Sequence, residues 1–118
     1  MPISTRSPSR DLQLAAKLFR GLADPTRLAI LEAIAEEGEM RVTDLIARVG
    51  GSQANVSGHV ACLKDCGLVV DRPEGRQVFY SVSDPVVVAA LRGAEAVLAL
   101  TGEQVALCPN YRTPETGR

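Results

Sequence analysis

Ser52-Gln-Ala-Asn-Val-Ser-Gly-His-Val-Ala-Cys-Leu-Lys-Asp-Cys-Gly67 is the stretch that decides the fold. Its apolar residues Val56, Val60 and Leu63 recur at helical spacing and share one face at about 100° per residue. That face is predicted to turn toward a core, while the two flanks carry mostly polar or thiol side chains. The stretch therefore predicts one amphipathic helix whose outer surface is available for chemistry.

The residues around this helix predict a helix-turn-helix. Ser52 is a suitable N-cap, and Gly67 is a suitable residue to end the helix. Gly50 and Gly51 form a tight turn in front of it, and a shorter helix is predicted over 42–49. Two helices joined by a glycine turn are typical of proteins that place the second helix in a DNA groove.

A β-hairpin is predicted directly after this pair of helices. Residues 68–72 and 77–82 are rich in β-branched and aromatic side chains, which favours two strands. The segment 73–76 contains proline and glycine and is predicted as the connecting turn. Such a hairpin is the wing of a winged helix-turn-helix.

Helices are also predicted toward both ends of the chain. One is expected from about Asp11 to Leu22, and a second begins at an Asp24 cap followed by Pro25. A last helix, over about 86–100, is apolar on nearly every side and needs a covering partner. We therefore predict a mainly α fold with a β-hairpin wing, a winged helix-turn-helix that is dimeric.

Three segments are expected along the chain. Residues 1–10 are polar and form a flexible N-terminal arm, and residues 11–101 form the winged helix-turn-helix DNA-binding and dimerisation domain. Residues 102–118 form a polar C-terminal tail that carries Cys108. A chain of this length supports one modest domain.

Composition narrows the class of protein. The net charge of −1 argues against DNA binding by bulk charge but leaves room for a local basic patch. No apolar run approaches the roughly 20 residues that cross a membrane, so we expect a cytoplasmic protein with reduced thiols. A single histidine and the lack of a nucleophile–base arrangement or a phosphate-binding glycine motif indicate that the chain is not an enzyme.

The helix that decides the fold has two different flanks. Gln53, Ser57 and Lys64 lie on one flank, which suits contacts to DNA bases and phosphates. Cys62 and Cys66 lie on the other, four residues apart, so one face of the helix presents both thiols. Arginines beside the hairpin turn are expected to reach phosphate or the minor groove, the alternative being a merely solvated wing. The candidates for DNA contact are Ser52, Gln53, Asn55, Ser57, His59, Lys64, Arg72 and Arg76.

Three segments carry a resemblance to a known family. Leu22-Ala-Asp-Pro-Thr-Arg-Leu-Ala-Ile-Leu31, Ser52-Gln-Ala-Asn-Val-Ser-Gly-His-Val60 and Glu74-Gly-Arg-Gln-Val-Phe-Tyr80 resemble the ArsR/SmtB family of metal-responsive repressors. The resemblance spans about residues 11–100. It implies a homodimer that binds operator double-stranded DNA and leaves it when an inducer binds.

The metal site has to be matched residue by residue. The family's Cys-x-Cys pattern in the third helix is absent, because Met40 to Asp44 stand there. Its zinc site on the last helix needs histidine, and the single His59 lies elsewhere. The set Cys62, Cys66 and Cys108 instead resembles the cadmium- and lead-sensing CmtR branch, in which the tail cysteine comes from the other subunit.

Ligand chemistry agrees with that resemblance. Three thiolates suit a soft cation, so Cd²⁺ or Pb²⁺ is favoured as the inducer over Zn²⁺, which usually takes four ligands. Two alternatives stay open. Helical residues four apart have Cα atoms about 6 Å apart, inside the range of a disulfide, so a thiol-based redox-sensing repressor is the main rival. A DNA-binding module indifferent to metal, with cysteines as core residues, is the second.

Overall fold

The computed structural model describes residues 9–102 and 106–107. Most of the N-terminal arm and of the tail, including Cys108, lies outside the described residues. The described part contains five helices and one hairpin. In chain order they are α1 Arg10–Leu22, α2 Pro25–Glu37, α3 Val42–Val49, α4 Gln53–Asp65, β1 Val69–Glu74, β2 Gln77–Val82 and α5 Pro85–Ala99.

The helix boundaries follow from local chemistry, as predicted. The Asp24 side chain accepts a hydrogen bond from the Arg27 amide at 2.9 Å and caps α2, with Pro25 in its first turn. The Ser52 hydroxyl accepts one from the Asn55 amide at 3.0 Å and caps α4. Gly67 follows the end of α4 with a φ of 81°, a left-handed conformation that favours glycine.

The core lies between α2, α3, α4 and the base of the wing. The predicted stripe of α4 is confirmed, since Val56, Val60 and Leu63 are at most 1% exposed. This burial fixes α4 in the domain along its whole length. The other fully buried large side chains are Ile30, Leu31, Ile34, Leu45, Val69 and Leu91.

The wing is a two-stranded antiparallel sheet with a tighter turn than predicted. Glu74 pairs with Gln77, so only Gly75 and Arg76 form the turn. The predicted turn over 73–76 was too wide. Pro73 can sit inside β1 because both strands of a two-stranded sheet are edge strands, where a missing N–H is tolerated.

A short bridge ties the wing to the helices. Met40 exchanges two backbone hydrogen bonds with Tyr80, at 3.0 and 2.8 Å. Because Met40 lies just before α3, the bridge fixes the wing relative to the helix-turn-helix. The position of the wing is therefore set at its base, and its tip projects away from the core.

The two outer helices expose apolar side chains in the single chain. Leu12 and Phe19 of α1 are 60% and 67% exposed, and Val86 and Val97 of α5 are 65% and 62% exposed. No helix in the described part of the chain is long and apolar enough to span a membrane. The exposed apolar faces of α1 and α5 are the surfaces for which the sequence predicted a partner.

Candidate functional site

The first half of α4 and the wing frame an open cleft. Gln53 and Ser57 line it from α4, and Arg76 and Gln77 line it from the wing. Gln53 and Arg76 are exposed, and Ser57 is half-buried. The structure thus brings together three of the predicted DNA-contacting residues, with amide, hydroxyl and guanidinium groups facing one opening.

The start of α3 completes this cleft with residues that sequence reasoning missed. Arg41 and Thr43 line the same opening. Arg41 donates two hydrogen bonds to the Asp44 carboxylate, at 3.0 and 2.9 Å, and with the Arg41 amide this lowers the pKa of Asp44 to about 2. The sequence signal that could have identified Arg41 was its position directly before α3, the first helix of the helix-turn-helix.

The two wing arginines differ in their partners. Arg72 donates to both oxygens of Glu39 at 2.9 Å and to Glu74 at 2.7 Å, and its guanidinium lies 4.9 Å from the centroid of the Phe79 ring. These carboxylates raise the pKa of Arg72 above its usual value. Arg76 at the turn makes no hydrogen bond or ion pair with the described residues. Arg76 is therefore the wing cation that remains available for phosphate.

Ser52 and Lys64, two further predicted DNA-contacting residues, already have intramolecular partners. The Ser52 hydroxyl is the cap of α4, and the Asn55 side chain beside it is exposed. Lys64 forms an ion pair with Asp71 at 2.7 Å, which joins the end of α4 to β1 and raises the pKa of Lys64 through the hydrogen bond. Among the residues of α4, Gln53 and Ser57 are the ones whose side chains line the cleft.

His59 lies against the start of α2 rather than in the cleft. Its Nδ1 accepts a hydrogen bond from Arg27 Nε at 3.4 Å, and its Nε2 lies 3.9 Å from the Asp24 carboxylate. The side chain is only 18% exposed. The structure therefore gives His59 a packing and hydrogen-bonding role between α4 and α2.

The two helix thiols meet at the other end of α4. Cys66 is the C-cap, and its amide donates to the Cys62 carbonyl at 3.0 Å, so the side chains lie one turn apart. Both cysteines are free and half-buried. Burial, and then the neighbouring Cys62, raises the pKa of the Cys66 thiol. The spacing of one turn places both cysteines on the same face of α4.

The thiol pair also touches α1. The Cys66 Sγ lies 3.9 Å from the Lys17 carbonyl oxygen, and the Lys17 ammonium lies 3.2 Å from the Asp65 carboxylate. Gly21 is the buried residue of α1, and it faces the same sulfur. The pair therefore lies in the junction of α1 and α4, away from the cleft at the wing.

The described residues do not complete a metal site around the thiol pair. Within 9–102 and 106–107, no group of three or more His, Cys, Asp or Glu side chains is placed to hold a metal ion. Asp65 and Asp71, the carboxylates nearest the thiols in sequence, are engaged by lysines. A soft-metal site on Cys62 and Cys66 therefore needs a further donor such as Cys108.

The described part of the tail returns to α5. The Leu107 amide donates a hydrogen bond to Glu95 at 2.8 Å, and the Leu107 side chain packs against the core. Glu95 is also bonded to Arg92, which pairs with the buried Glu32 of α2. The residue immediately before Cys108 is thus anchored on the last helix.

Comparisons with known proteins identify the family to which this chain is similar. The family described as bacterial regulatory protein, arsR family, matches residues 24–70. The HTH-type transcriptional regulator CmtR of Mycobacterium tuberculosis is 44% identical over 90 residues, which cover 75% of each chain. A probable mercury resistance operon repressor of Streptomyces lividans is 47% identical over 70 residues, 59% of this chain and 55% of that protein.

Solved structures agree on the fold. Rv0081 of M. tuberculosis matches with a TM-score of 0.72 at 32% identity, over 80% of this chain and 94% of that one. The homodimeric winged helix-turn-helix DNA-binding domain Mb0332 of Mycobacterium bovis matches with a TM-score of 0.72 at 25% identity, over 88% and 97%. The predicted winged helix-turn-helix is confirmed, and CmtR and Mb0332 are described as transcriptional regulators, not as enzymes.

Proposed function

The chain belongs to the arsR family of bacterial regulatory proteins, and from that premise we propose that it is a metal-responsive transcriptional repressor. It binds operator double-stranded DNA as a homodimer in the cytoplasm. It releases the operator when Cd²⁺ or Pb²⁺ is bound by Cys62, Cys66 and Cys108. Residues 11–101 form the DNA-binding and dimerisation domain, and residues 102–118 supply the tail ligand.

The observation that carries this proposal is the thiol pair at the end of α4. Cys62 and Cys66 are free, half-buried and one helical turn apart on α4. Two adjacent sulfurs completed by a third suit soft cations such as cadmium and lead better than zinc. The relative named for mercury resistance supports a soft-metal inducer.

The cleft between α4 and the wing supports the DNA-binding part. Gln53 and Ser57 suit base edges in the major groove, and Arg76 suits a phosphate. The overall charge of −1 means that these local groups, not the whole molecule, have to provide attraction. Asn55 and Lys64 are further exposed residues of α4, and they extend the proposed contact surface.

Metal and DNA use different atoms of α4, so release must be allosteric. The Cys66 thiol lies against α1, whereas the groups proposed to contact DNA line the cleft at the wing. Metal then weakens DNA binding only if its affinity differs between the DNA-bound and free conformations. The proposal therefore requires that metal binding shifts α4 or the relative position of two subunits.

A second copy of the chain is the proposed cover for α1 and α5. Leu12, Phe19, Val86 and Val97 are more exposed than large apolar residues normally are, and they lie on the two terminal helices. A homodimer would bury them and would set the spacing of two recognition helices on DNA. Sedimentation at micromolar concentration is expected to give a dimer, and a monomer alone would contradict this.

Cys108 is proposed to act across the dimer. The Leu107 amide is hydrogen-bonded to Glu95 of α5, the proposed dimer helix. This contact places the start of the tail beside the proposed subunit interface, which supports a tail that continues onto the partner subunit. Mixed dimers test the assignment, pairing a subunit that lacks Cys62 and Cys66 with one that lacks only Cys108. Cross-subunit ligation leaves one complete three-thiolate site in this heterodimer. Loss of its three-thiolate cadmium absorption would contradict the cross-subunit arrangement.

The experiment that tests the function is operator release. A DNA site selected by the protein from a random-sequence library serves as the operator, and cadmium is added to the complex of reduced protein. Release is expected for the wild type and not for Cys62→Ser. Peroxide in place of cadmium tests the redox-sensing alternative.

A further inference from the structure

The sulfur of Cys66 lies against the backbone of α1 at Gly21. A Cβ atom built on Gly21 would come within 2.6 Å of the Cys66 Sγ. That distance is about 0.8 Å inside the 3.4 Å at which such contacts become ordinary. Glycine at this position therefore allows α1 and the thiol to approach as closely as they do.

The end of α1 is fixed around this contact. Arg27 donates from Nη1 to the carbonyls of Gly21 and Arg20, at 3.0 and 3.3 Å. Its Nε donates to His59 of α4. On the other side, Lys17 pairs with Asp65. The end of α1, which contacts the Cys66 sulfur, is thus bonded to α2 through Arg27 and to α4 through Asp65.

The opposite face of α1 carries its exposed apolar residues. Leu12 and Phe19 are 60% and 67% exposed, whereas Gly21 is buried. A movement of the last turn of α1 therefore moves the surface that we assign to the subunit interface. A single helix, α1, therefore lies between the Cys66 sulfur and that surface.

We propose that Gly21 is the positioning residue that couples Cys66 to α1, so that a substituent on the Cys66 sulfur displaces the last turn of α1. The contact itself is independent of what the substituent is. Its role in induction rests on the proposed function, in which a soft metal ion is the natural substituent. Displacement of α1 would then change how two subunits are held, without touching the DNA-contacting atoms.

A double-mutant cycle tests the contact without any metal. Gly21→Ala is made in the wild type and in Cys66→Ala. With Cys66 present, the new methyl group meets the sulfur, and the thermal midpoint Tm is expected to fall by several degrees. With Cys66→Ala, only an ordinary 3.5 Å contact to the Cys66 Cβ position remains, and Tm is expected to rise because alanine favours helix over glycine.

Gly58→Ala is the matched control for this cycle. Gly58 is also a helical glycine, and a Cβ there meets no atom within 4 Å. It is expected to raise Tm by the same amount in both backgrounds. Equal effects of Gly21→Ala in both backgrounds would overturn the proposed coupling.

Hydrogen exchange tests the displacement of α1. In a Cys62→Ser, Cys108→Ser background, iodoacetamide modifies Cys66 alone, and mass spectrometry confirms it. Exchange of the amides at the end of α1 is expected to accelerate at least about tenfold, because the local opening free energy falls. Unchanged exchange in the fully alkylated, folded protein would overturn the inference.

Cadmium added to the wild type separates this inference from the proposed function. Binding with faster exchange in α1 supports both. No cadmium binding refutes the proposed function, while the alkylation result and the mutant cycle still decide the coupling through Gly21. Cadmium bound through Cys66 with unchanged exchange in α1 refutes the coupling alone.

Discussion

The two ends of α4 are built for different chemistry. At the first end, Gln53 and Ser57 face an open cleft whose other wall is the wing. At the second, Cys62 and Cys66 are half-buried, and the Cys66 sulfur lies against α1. One helix thus carries a surface for a large ligand and a half-buried pair of sulfurs, and the two share no side chain.

What joins the two ends is a buried stripe. Val56, Val60 and Leu63 are fixed in the core, so α4 cannot bend freely between its ends. A signal from the thiols must therefore move α4 as a body or act through α1. Substitutions at one end are expected to leave the function of the other end intact, and the following predictions test that separation.

The largest effect is expected at the thiol end. Cys62→Ser removes one of the two sulfurs, and cadmium affinity should fall by more than the roughly tenfold to hundredfold that indirect changes around a metal cost. Operator binding without metal should stay within about twofold, because surface changes away from a contact have small effects. Isothermal titration and fluorescence anisotropy measure the two quantities. A variant that still released the operator normally with cadmium would contradict the assignment.

Cadmium affinity should depend strongly on pH. Each thiol must lose a proton to bind metal, and burial raises the pKa of Cys66, so its proton competes throughout the neutral range. Affinity should fall as pH falls, by about a hundredfold per pH unit if two protons are displaced and about a thousandfold if three are. Titration at several pH values counts the protons. A flat profile between pH 6 and 8, a range of about two units, would rule out thiol ligands.

Changes at the cleft end should give the opposite pattern. Ser57→Ala and Gln53→Ala should each weaken operator binding, by about 1–3 kcal/mol where the side chain contacts a base edge. Cadmium affinity should not change, since neither side chain approaches the thiols. Binding assays on the selected operator, with single-base variants, check the first point. Wild-type affinity in both variants would show that the cleft is not the reading surface.

The wing offers a smaller and sharper comparison between two arginines. Arg76→Ala should lower the salt dependence of operator binding by about one unit of slope, because one phosphate contact releases about one counterion. Arg72→Ala should change the slope less, because Glu39 and Glu74 already engage its charge. A salt titration of both variants measures the slopes. Equal slopes for the two variants would mean that Arg72 leaves Glu39 and Glu74 and contacts phosphate when the protein binds DNA.

The features predicted from sequence are those fixed by local chemistry. The caps at Asp24 and Ser52 and the core face of α4 depend on residues close in the chain, and the structure confirms them. The wing was predicted from β-branched residues, but its turn was set too wide because Pro73 looked like a turn residue. Register between two edge strands, not composition, decides where that turn begins.

The features that sequence reasoning missed depend on contacts distant in the chain. Gly21 carries no sequence signal for its contact with Cys66, which arises only when α1 packs on α4. The pairing of Glu39 with Arg72 and the bridge from Met40 to Tyr80 are equally non-local. The third ligand, Cys108, lies outside the described residues, so its role stays a prediction.

One measurement tests the central claim most directly. Cadmium is titrated into the complex of reduced protein with its operator, while thiolate-to-cadmium absorption and DNA release are followed in the same sample. The account predicts that both signals rise together and end at the same metal equivalence. Both should be lost in Cys66→Ser, which still binds DNA. Release of the operator without thiolate absorption, or full absorption without release, would contradict it.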